Sequence, residues 1–141
     1  MSRIFKFRNA NRERPLAQIA SVRAAFPGLN YRVTRQGGVE WNGRLRPTDD
    51  SPWYVIRILH ALDRAPRVWV LSPPLTPNPP HVYASDSNRL CLYWPEEWCW
   101  TPKHSLATTI IPWAALWLYF YEVWQVTGEW LGPSSHHQGE K

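Results

Sequence analysis

The side chains able to do covalent or acid–base chemistry gather in one stretch, His81 to Trp117, which reads HVYASDSNRLCLYWPEEWCWTPKHSLATTIIPWAALW. It holds both cysteines, Cys91 and Cys99, together with His81, Tyr83, His104 and five of the ten tryptophans. Cys91 occupies a short apolar box, Leu90-Cys91-Leu92-Tyr93, between a proline-rich approach and the longest apolar run of the chain. A cysteine held still between two such elements while its sulfur stays reachable is open to redox, metal or acyl chemistry; the last needs a thiolate that attacks an acyl carbonyl beside donors that stabilise the oxyanion. A free thiol titrates near ~8.5 and a cationic neighbour lowers it. Arg89 acts in that sense, while Glu96 and Glu97 oppose it if they fold back, so the neighbours predict a modestly reactive thiol. The flanking leucines equally suit a small buried hydrophobe.

The other groups divide in the same way. His81 can move a proton, or it can be structural, orienting a backbone carbonyl or donating to the cysteine loop. The Tyr83 hydroxyl can donate to an oxyanion, or its ring can pack on the proline-rich loop. Cys99, between Trp98 and Trp100, is passive, and His104 belongs to the surface or to a helix cap. Together His81, Cys91, Cys99 and His104 offer two nitrogen and two sulfur ligands, but their spacings of ten, eight and five residues do not match the close Cys or His pairs of small zinc domains. No metal and no cofactor are expected.

The positioning elements are those of a single domain of 141 residues with 44% hydrophobic and 19% charged content. Ten tryptophans and fourteen prolines imply a small core of large rings joined by stiff connections. The net charge of +5 rests on thirteen arginines against three lysines, clustered at Arg3, Lys6, Arg8, Arg12 and Arg14 and again at Arg32, Arg35, Arg44 and Arg46. Planar guanidinium forks suit carboxylate or phosphate partners, although charged runs are most often solvated faces. Two cysteines do not make a disulfide framework, and the start MSRIFKFRNANRERP is too charged for a signal peptide. Ser105 to Tyr121 is seventeen residues without a charge, short of the ~20 a membrane span needs, and reads as a buried helix. A soluble, cytoplasmic protein with reduced thiols is expected.

Residues 1–14 form a basic lead-in. Pro15 opens a first helix with Leu16, Ile19, Ala20, Val22 and Phe26 as its apolar stripe, closed by Pro27-Gly28. Four short runs with strand composition follow, at 31–35, 39–46, 53–59 and 68–71, separated by turn clusters, and they predict an antiparallel meander. Ser72 to Pro80 leaves the sheet as extended chain. After the cysteine box, Thr108 or Thr109 caps a long helix with Pro112 in its first turn, Trp113, Leu116, Trp117, Phe120 and Trp124 at helical spacing, and Gly128 as its stop. The domain spans 15–131 and 132–141 is a loose tail. The fold class is α+β.

That order resembles the ubiquitin-conjugating (UBC) fold: N-terminal helix, four-stranded antiparallel meander, active-site cysteine loop, long C-terminal helix. Leu71-Ser72-Pro73-Pro74 and Asn78-Pro79-Pro80 stand where the family has its proline-rich strand exit. His81 precedes Cys91 by the family's ten residues, Leu90-Cys91-Leu92 matches the cysteine box, and Trp100-Thr101-Pro102 matches the Trp-Ser-Pro element. The similarity covers roughly residues 15–127 and is most specific over 73–117. It departs where the family's Asn falls at Tyr83, so that His81-Val82-Tyr83 replaces His-Pro-Asn, and the helices that usually follow the long one are absent. The wording around CLYWPEEW and LATTIIPWAALWLYFYEVW is similar to compact prokaryotic relatives in antiphage operons of the cyclic-oligonucleotide type (CBASS).

The resemblance implies a thioester between Cys91 and the C-terminal carboxyl of a partner, either a CBASS nucleotidyltransferase or a ubiquitin-like protein, with an activating enzyme possible in trans. His81 and Tyr83 join Cys91 as the implied site residues. Loss of the Asn implies that amine attack by the family's usual route lacks its amide donor. A binding module with the fold but without the chemistry is the alternative, docking and regulating the nucleotidyltransferase. Nucleic-acid binding through the arginines, which would fall steeply with salt, is a weaker reading, and no membrane partner is expected.

Overall fold

A computed structural model describes residues 15–133. The element order is helix α1 (Pro15–Ala25), strands β1 (Leu29–Val33), β2 (Val39–Leu45), β3 (Tyr54–His60) and β4 (Arg67–Ser72), a small hairpin of β5 (Val82–Tyr83) and β6 (Arg89–Leu90), and helix α2 (Ile110–Thr127). The α+β order expected for a UBC-like fold is therefore present, with the four long strands paired antiparallel in sequence order. The basic lead-in 1–14, with its arginines, and tail positions 134–141 lie outside the described residues.

The sheet forms because its strands alternate. β3 buries Tyr54, Ile56 and Ile58 and turns Val55 and Arg57 the other way, the period-two pattern of a half-buried strand. Trp41, Ile56, Ile58 and Val68 share one cluster with Ile110, Ile111, Ala114 and Leu118, so the core lies between sheet and α2. On the opposite sheet face, Glu40 accepts hydrogen bonds from Arg32 and, at 2.6 Å, from Arg57. These guanidinium groups hold its carboxyl below the usual range against the cost of burial. Arg44 and Arg46 stack on Trp53 at 4.6 and 4.2 Å from the ring centre. Of the middle cluster, Arg32 thus serves a buried carboxylate and Arg44 and Arg46 an exposed ring.

Three sequence expectations shift. The first strand begins at Leu29, two residues early, where it pairs with Gly43, and it stops at Val33 because the Thr34–Gly38 turn takes the residues assigned to its end: Thr34 N–H donates to Gly38 O at 2.8 Å. Gly43 then has no room for a side chain, since a Cβ there would stand 2.1 Å from the carbonyl oxygen of Gly28. The apolar stripe of α1 is also narrower than its composition suggests. Leu16 is 79% exposed, and the helix buries Gln18, Ile19 and Val22 instead. Gln18 is buried because its amide is satisfied twice: Nε2 donates to His104 O at 2.9 Å and Oε1 accepts from Leu106 N–H at 3.0 Å.

α2 starts at Ile110 with Thr109 in the cap position. The Thr109 hydroxyl does not cap the helix; it donates backwards to Ser105 O at 2.6 Å. Pro112 sits in the first turn, where no intrahelical partner awaits its missing N–H. Gly128 ends the helix in the left-handed region (φ 79°), donating its N–H to Trp124 O at 2.8 Å. No helix among the described residues is long and apolar enough to cross a membrane.

The candidate active-site cysteine and its aromatic surround

Two anchors deliver the chain to Cys91. The proline-rich segment is tied to α2, where Thr76 N–H donates to the Tyr121 hydroxyl at 2.7 Å and Gln125 Nε2 donates to Thr76 Oγ1 at 2.7 Å. His81 then adopts a left-handed conformation (φ 56°) that turns the chain into β5. Its carbonyl oxygen accepts two hydrogen bonds, from Cys91 N–H and from the Trp117 indole N–H, each at 3.0 Å. One backbone oxygen therefore fixes the cysteine to α2.

The hairpin that carries Cys91 is the element missed in the sequence, where this stretch reads as extended loop. Its turn comprises a 3-10 segment, Ala84–Asp86, followed by Ser87 and Asn88 at φ 53° and 59°. Asp, Ser and Asn are the residues that stabilise such turns through local hydrogen bonds and tolerate positive φ, so Asp86-Ser87-Asn88 was the available signal. Tyr83 pairs with Arg89 across the hairpin. Cys91, two residues beyond Arg89, falls diagonally opposite Tyr83 on the same face.

That register brings the named side chains together. The Cys91 thiol donates to the Tyr83 hydroxyl oxygen at 3.4 Å and also approaches Tyr93 O at 3.6 Å. The Arg89 guanidinium lies 4.2 Å above the Tyr83 ring and donates to Asp86 at 2.7 Å, and Asp86 O in turn accepts from the Trp69 indole at 2.9 Å. Cys91 is 8% exposed. Burial pushes its thiol above the ordinary range, the Tyr83 hydroxyl and Arg89 pull it back, and Glu96 adds a smaller upward push. Burial and the neighbouring thiol raise the Tyr83 hydroxyl to about 12, so it remains a hydrogen-bond donor at neutral pH.

His81 reaches the site by its backbone, and its ring packs 5.5 Å from the Trp94 ring and 4.8 Å from that of Trp130. Burial lowers its pKa, favouring the neutral imidazole. His104 is neither surface nor helix cap. Its Nδ1 accepts from Thr101 N–H at 3.0 Å, locking the turn at Trp100-Thr101-Pro102, and its ring packs against Trp98 and Trp100. Cys99 is exposed, and among the described residues no three His, Cys, Asp or Glu side chains form a metal-holding group.

Beside Cys91 a cavity of about 270 Å³ opens between α2, the 92–98 turn and the chain after Gly128. Its walls include Trp94, Trp98, Trp113, Trp117, Phe120 and Trp130. Trp117 and Trp130 were part of no sequence expectation about the site: at helical spacing Trp117 reads as core, and Trp130 lies beyond the Gly128 stop. The arrangement can do one kind of chemistry directly: a thiol beside a hydroxyl donor and a cation can accept an acyl group and stabilise the charge that develops on its oxygen. No curated protein matches the chain. Residues 18–138 match the family E2-CBASS, described as Type II CBASS E2 protein, and the chain belongs to that family.

Proposed function

We propose that Cys91 carries an acyl group, accepting the C-terminal carboxyl of a partner protein as a thioester and passing it on. Membership of the Type II CBASS E2 family gives the chain an E2-like role in CBASS defence. The observation that carries the finer reading is the contact of 3.4 Å between the Cys91 sulfur and the Tyr83 hydroxyl, in a site bordered by an open cavity.

In the proposed step, the Cys91 thiolate attacks the carbonyl of an acyl group already activated as a thioester on another protein. The carbonyl oxygen gains negative charge, and Tyr83 O–H and the Arg89 charge are the nearby groups suited to stabilise it. The tetrahedral intermediate collapses as the donor thiolate leaves, and Cys91 keeps the acyl group. A lysine amine or a second thiol then attacks the same carbonyl, releasing the Cys91 thiolate and losing its own proton to solvent. The cargo is the tail of a CBASS nucleotidyltransferase or of a ubiquitin-like protein, delivered by an activating enzyme in trans.

Expressed with its operon partners, the protein should show a thiol-sensitive covalent adduct by intact mass. Cys91→Ser should trap a thiol-resistant ester, and an adduct that persists in Cys91→Ala would sink the reading.

A second reading rests on the burial of Cys91 and its raised pKa, which suit an inert thiol. The protein would then be a binding module for the nucleotidyltransferase. Unchanged partner affinity and unchanged phage protection in Cys91→Ala would favour it.

A further inference from the structure

Arginines gather where β4 meets the cysteine hairpin. Trp69 on β4 carries two of them, with the Arg57 guanidinium 5.0 Å and the Arg67 guanidinium 5.6 Å from its ring centre. Its indole N–H donates to Asp86 O, and the Asp86 carboxylate accepts from Arg89 Nε, so Arg89 joins the group from β6. Arg64 stands exposed in the turn before β4. Among the described residues the ion pairs are Arg32 and Arg57 with Glu40 and Arg89 with Asp86, and Arg64 and Arg67 take part in none. Arg57 and Arg89 each commit only Nε to their pairs, so the terminal nitrogens of both stay open to another acceptor. Arg67 Nε is buried with no hydrogen-bond partner among the described residues. Burial holds the Arg67 guanidinium below its ordinary range, Arg64, Arg89 and Arg57 add to that, and Asp86 alone opposes it. Native folds rarely leave such a donor unpaired unless a water or a ligand completes it. An anion is the partner that offsets both the burial and the crowding of cations.

We infer that Arg57, Arg64, Arg67 and Arg89 bind the phosphate group of a small soluble ligand at this edge of the sheet. Guanidinium forks with uncommitted donors suit phosphate, whose oxygens accept several parallel hydrogen bonds. A nucleic acid fits less well. A strand of phosphates needs cations free along a whole face, and here Arg32 is turned to Glu40 and Arg44 and Arg46 to Trp53. The free donors gather instead around one ring. They also reach the cysteine, because Arg89 lies over the Tyr83 ring and the Tyr83 hydroxyl meets the Cys91 sulfur at 3.4 Å. A bound anion offsets the Arg89 charge that favours the Cys91 thiolate, so occupancy makes the thiol harder to ionise. By reciprocity, the thiol form binds phosphate more tightly than the thiolate form.

The test uses the full chain with Cys99→Ser, in which Cys91 is the only thiol. Inorganic phosphate is titrated by isothermal calorimetry at an ionic strength held constant with sodium chloride. Binding should saturate, and Arg67→Gln should weaken it about tenfold or more. Arg67→Lys, which keeps the charge without the fork, should fall between the two. Arg44→Gln removes the same charge from the same sheet face and should leave the affinity unchanged. Adenosine monophosphate titrated in parallel decides the source: tighter binding than inorganic phosphate assigns the site to a nucleotide, and equal binding assigns it to a phosphate group alone. Absence of saturable binding, or an equal loss in Arg67→Gln and Arg44→Gln, overturns the inference. A single-stranded DNA oligonucleotide that binds more tightly than phosphate, and equally in Arg67→Gln, overturns it in favour of a polyanion face.

Iodoacetamide alkylation of Cys91 at fixed pH reads the link to the cysteine. The rate should fall as phosphate is added, with the half-point of the calorimetric titration, and should ignore phosphate over that range in Arg67→Gln. Saturable binding with an unchanged alkylation rate keeps the site and removes its link to Cys91.

Discussion

A thiol withdrawn from water must lose its proton before it attacks, and at Cys91 the neighbours set how readily that happens. Burial raises the thiol, while the Tyr83 hydroxyl and Arg89 favour the thiolate. Alkylation by iodoacetamide should therefore rise with pH to a midpoint above the ~8.5 of a free cysteine. In Arg89→Ala or Tyr83→Phe the midpoint should move higher still, because each change removes a group that stabilises the anion. A midpoint that stays put in both variants would show that neither group reaches the sulfur. Cys91 is legible in the sequence as the candidate from Leu90-Cys91-Leu92 and the interval to His81. Its partner was only half legible. Tyr83 could be named, but that its hydroxyl rather than its ring faces the sulfur depends on the hairpin register, which two-residue strands do not announce. The role of His81 was divided for a similar reason, since a backbone carbonyl leaves no mark on residue type.

At the scale of elements, the cysteine loop depends on side chains far from it in sequence. Trp117 holds it through the His81 carbonyl. Trp117→Phe keeps most of the ring and loses the N–H, which should destabilise by about 1 kcal/mol and speed hydrogen exchange at the Cys91 amide. Exchange no faster than in the parent protein would mean that the carbonyl is held by other means. Gln18 does comparable work in the segment that leads into α2, satisfying His104 O and Leu106 N–H at once. Gln18→Ala strands both groups and should cost about 1–3 kcal/mol for each one left buried and unpaired, read as a lower urea midpoint. Periodicity located α2 and its Gly128 stop, because the apolar run is long and the stop is a glycine. It located α1 from Pro15 as well and found Ile19 and Val22, but missed part of the buried face, where a polar residue takes a place that hydrophobicity gave to Leu16. A glutamine that is core only because two distant backbone groups meet it cannot be recognised from its own neighbours.

Across the whole molecule, pH acts through groups well away from the cysteine. Burial lowers the pKa of His60 to about 4, and its ring stacks edge-on against Trp100 at 5.2 Å. The folded state thus resists protonating a group that the unfolded chain protonates near ~6.5. The resulting stability is complete above pH ~6.5 and drains away as pH falls through about 4. Glu40, lowered by Arg57 and Arg32, adds a loss that begins below its ordinary value of 4.5. His60→Phe should flatten the thermal-stability profile between pH ~6.5 and 4.5 while leaving the Glu40 limb. An unchanged slope would place the acid sensitivity elsewhere. The meander itself was the most legible part of the fold, since alternating residues and turn clusters are local and each strand pairs with its sequence neighbour. Contacts that close the molecule are long in sequence and were not legible.

The hydrogen bonds of Gln18 carry a last consequence, one of timing. They join residues 86 and 88 positions apart, and a ribosome adds ~5–20 residues per second. Roughly 4–17 s therefore separate synthesis of α1 from synthesis of the segment that locks it. During that interval Ile19 and Val22 have part of their sheet but neither His104 nor Leu106 to hold the helix down. Helix α1 is thus made well before the segment that fastens it.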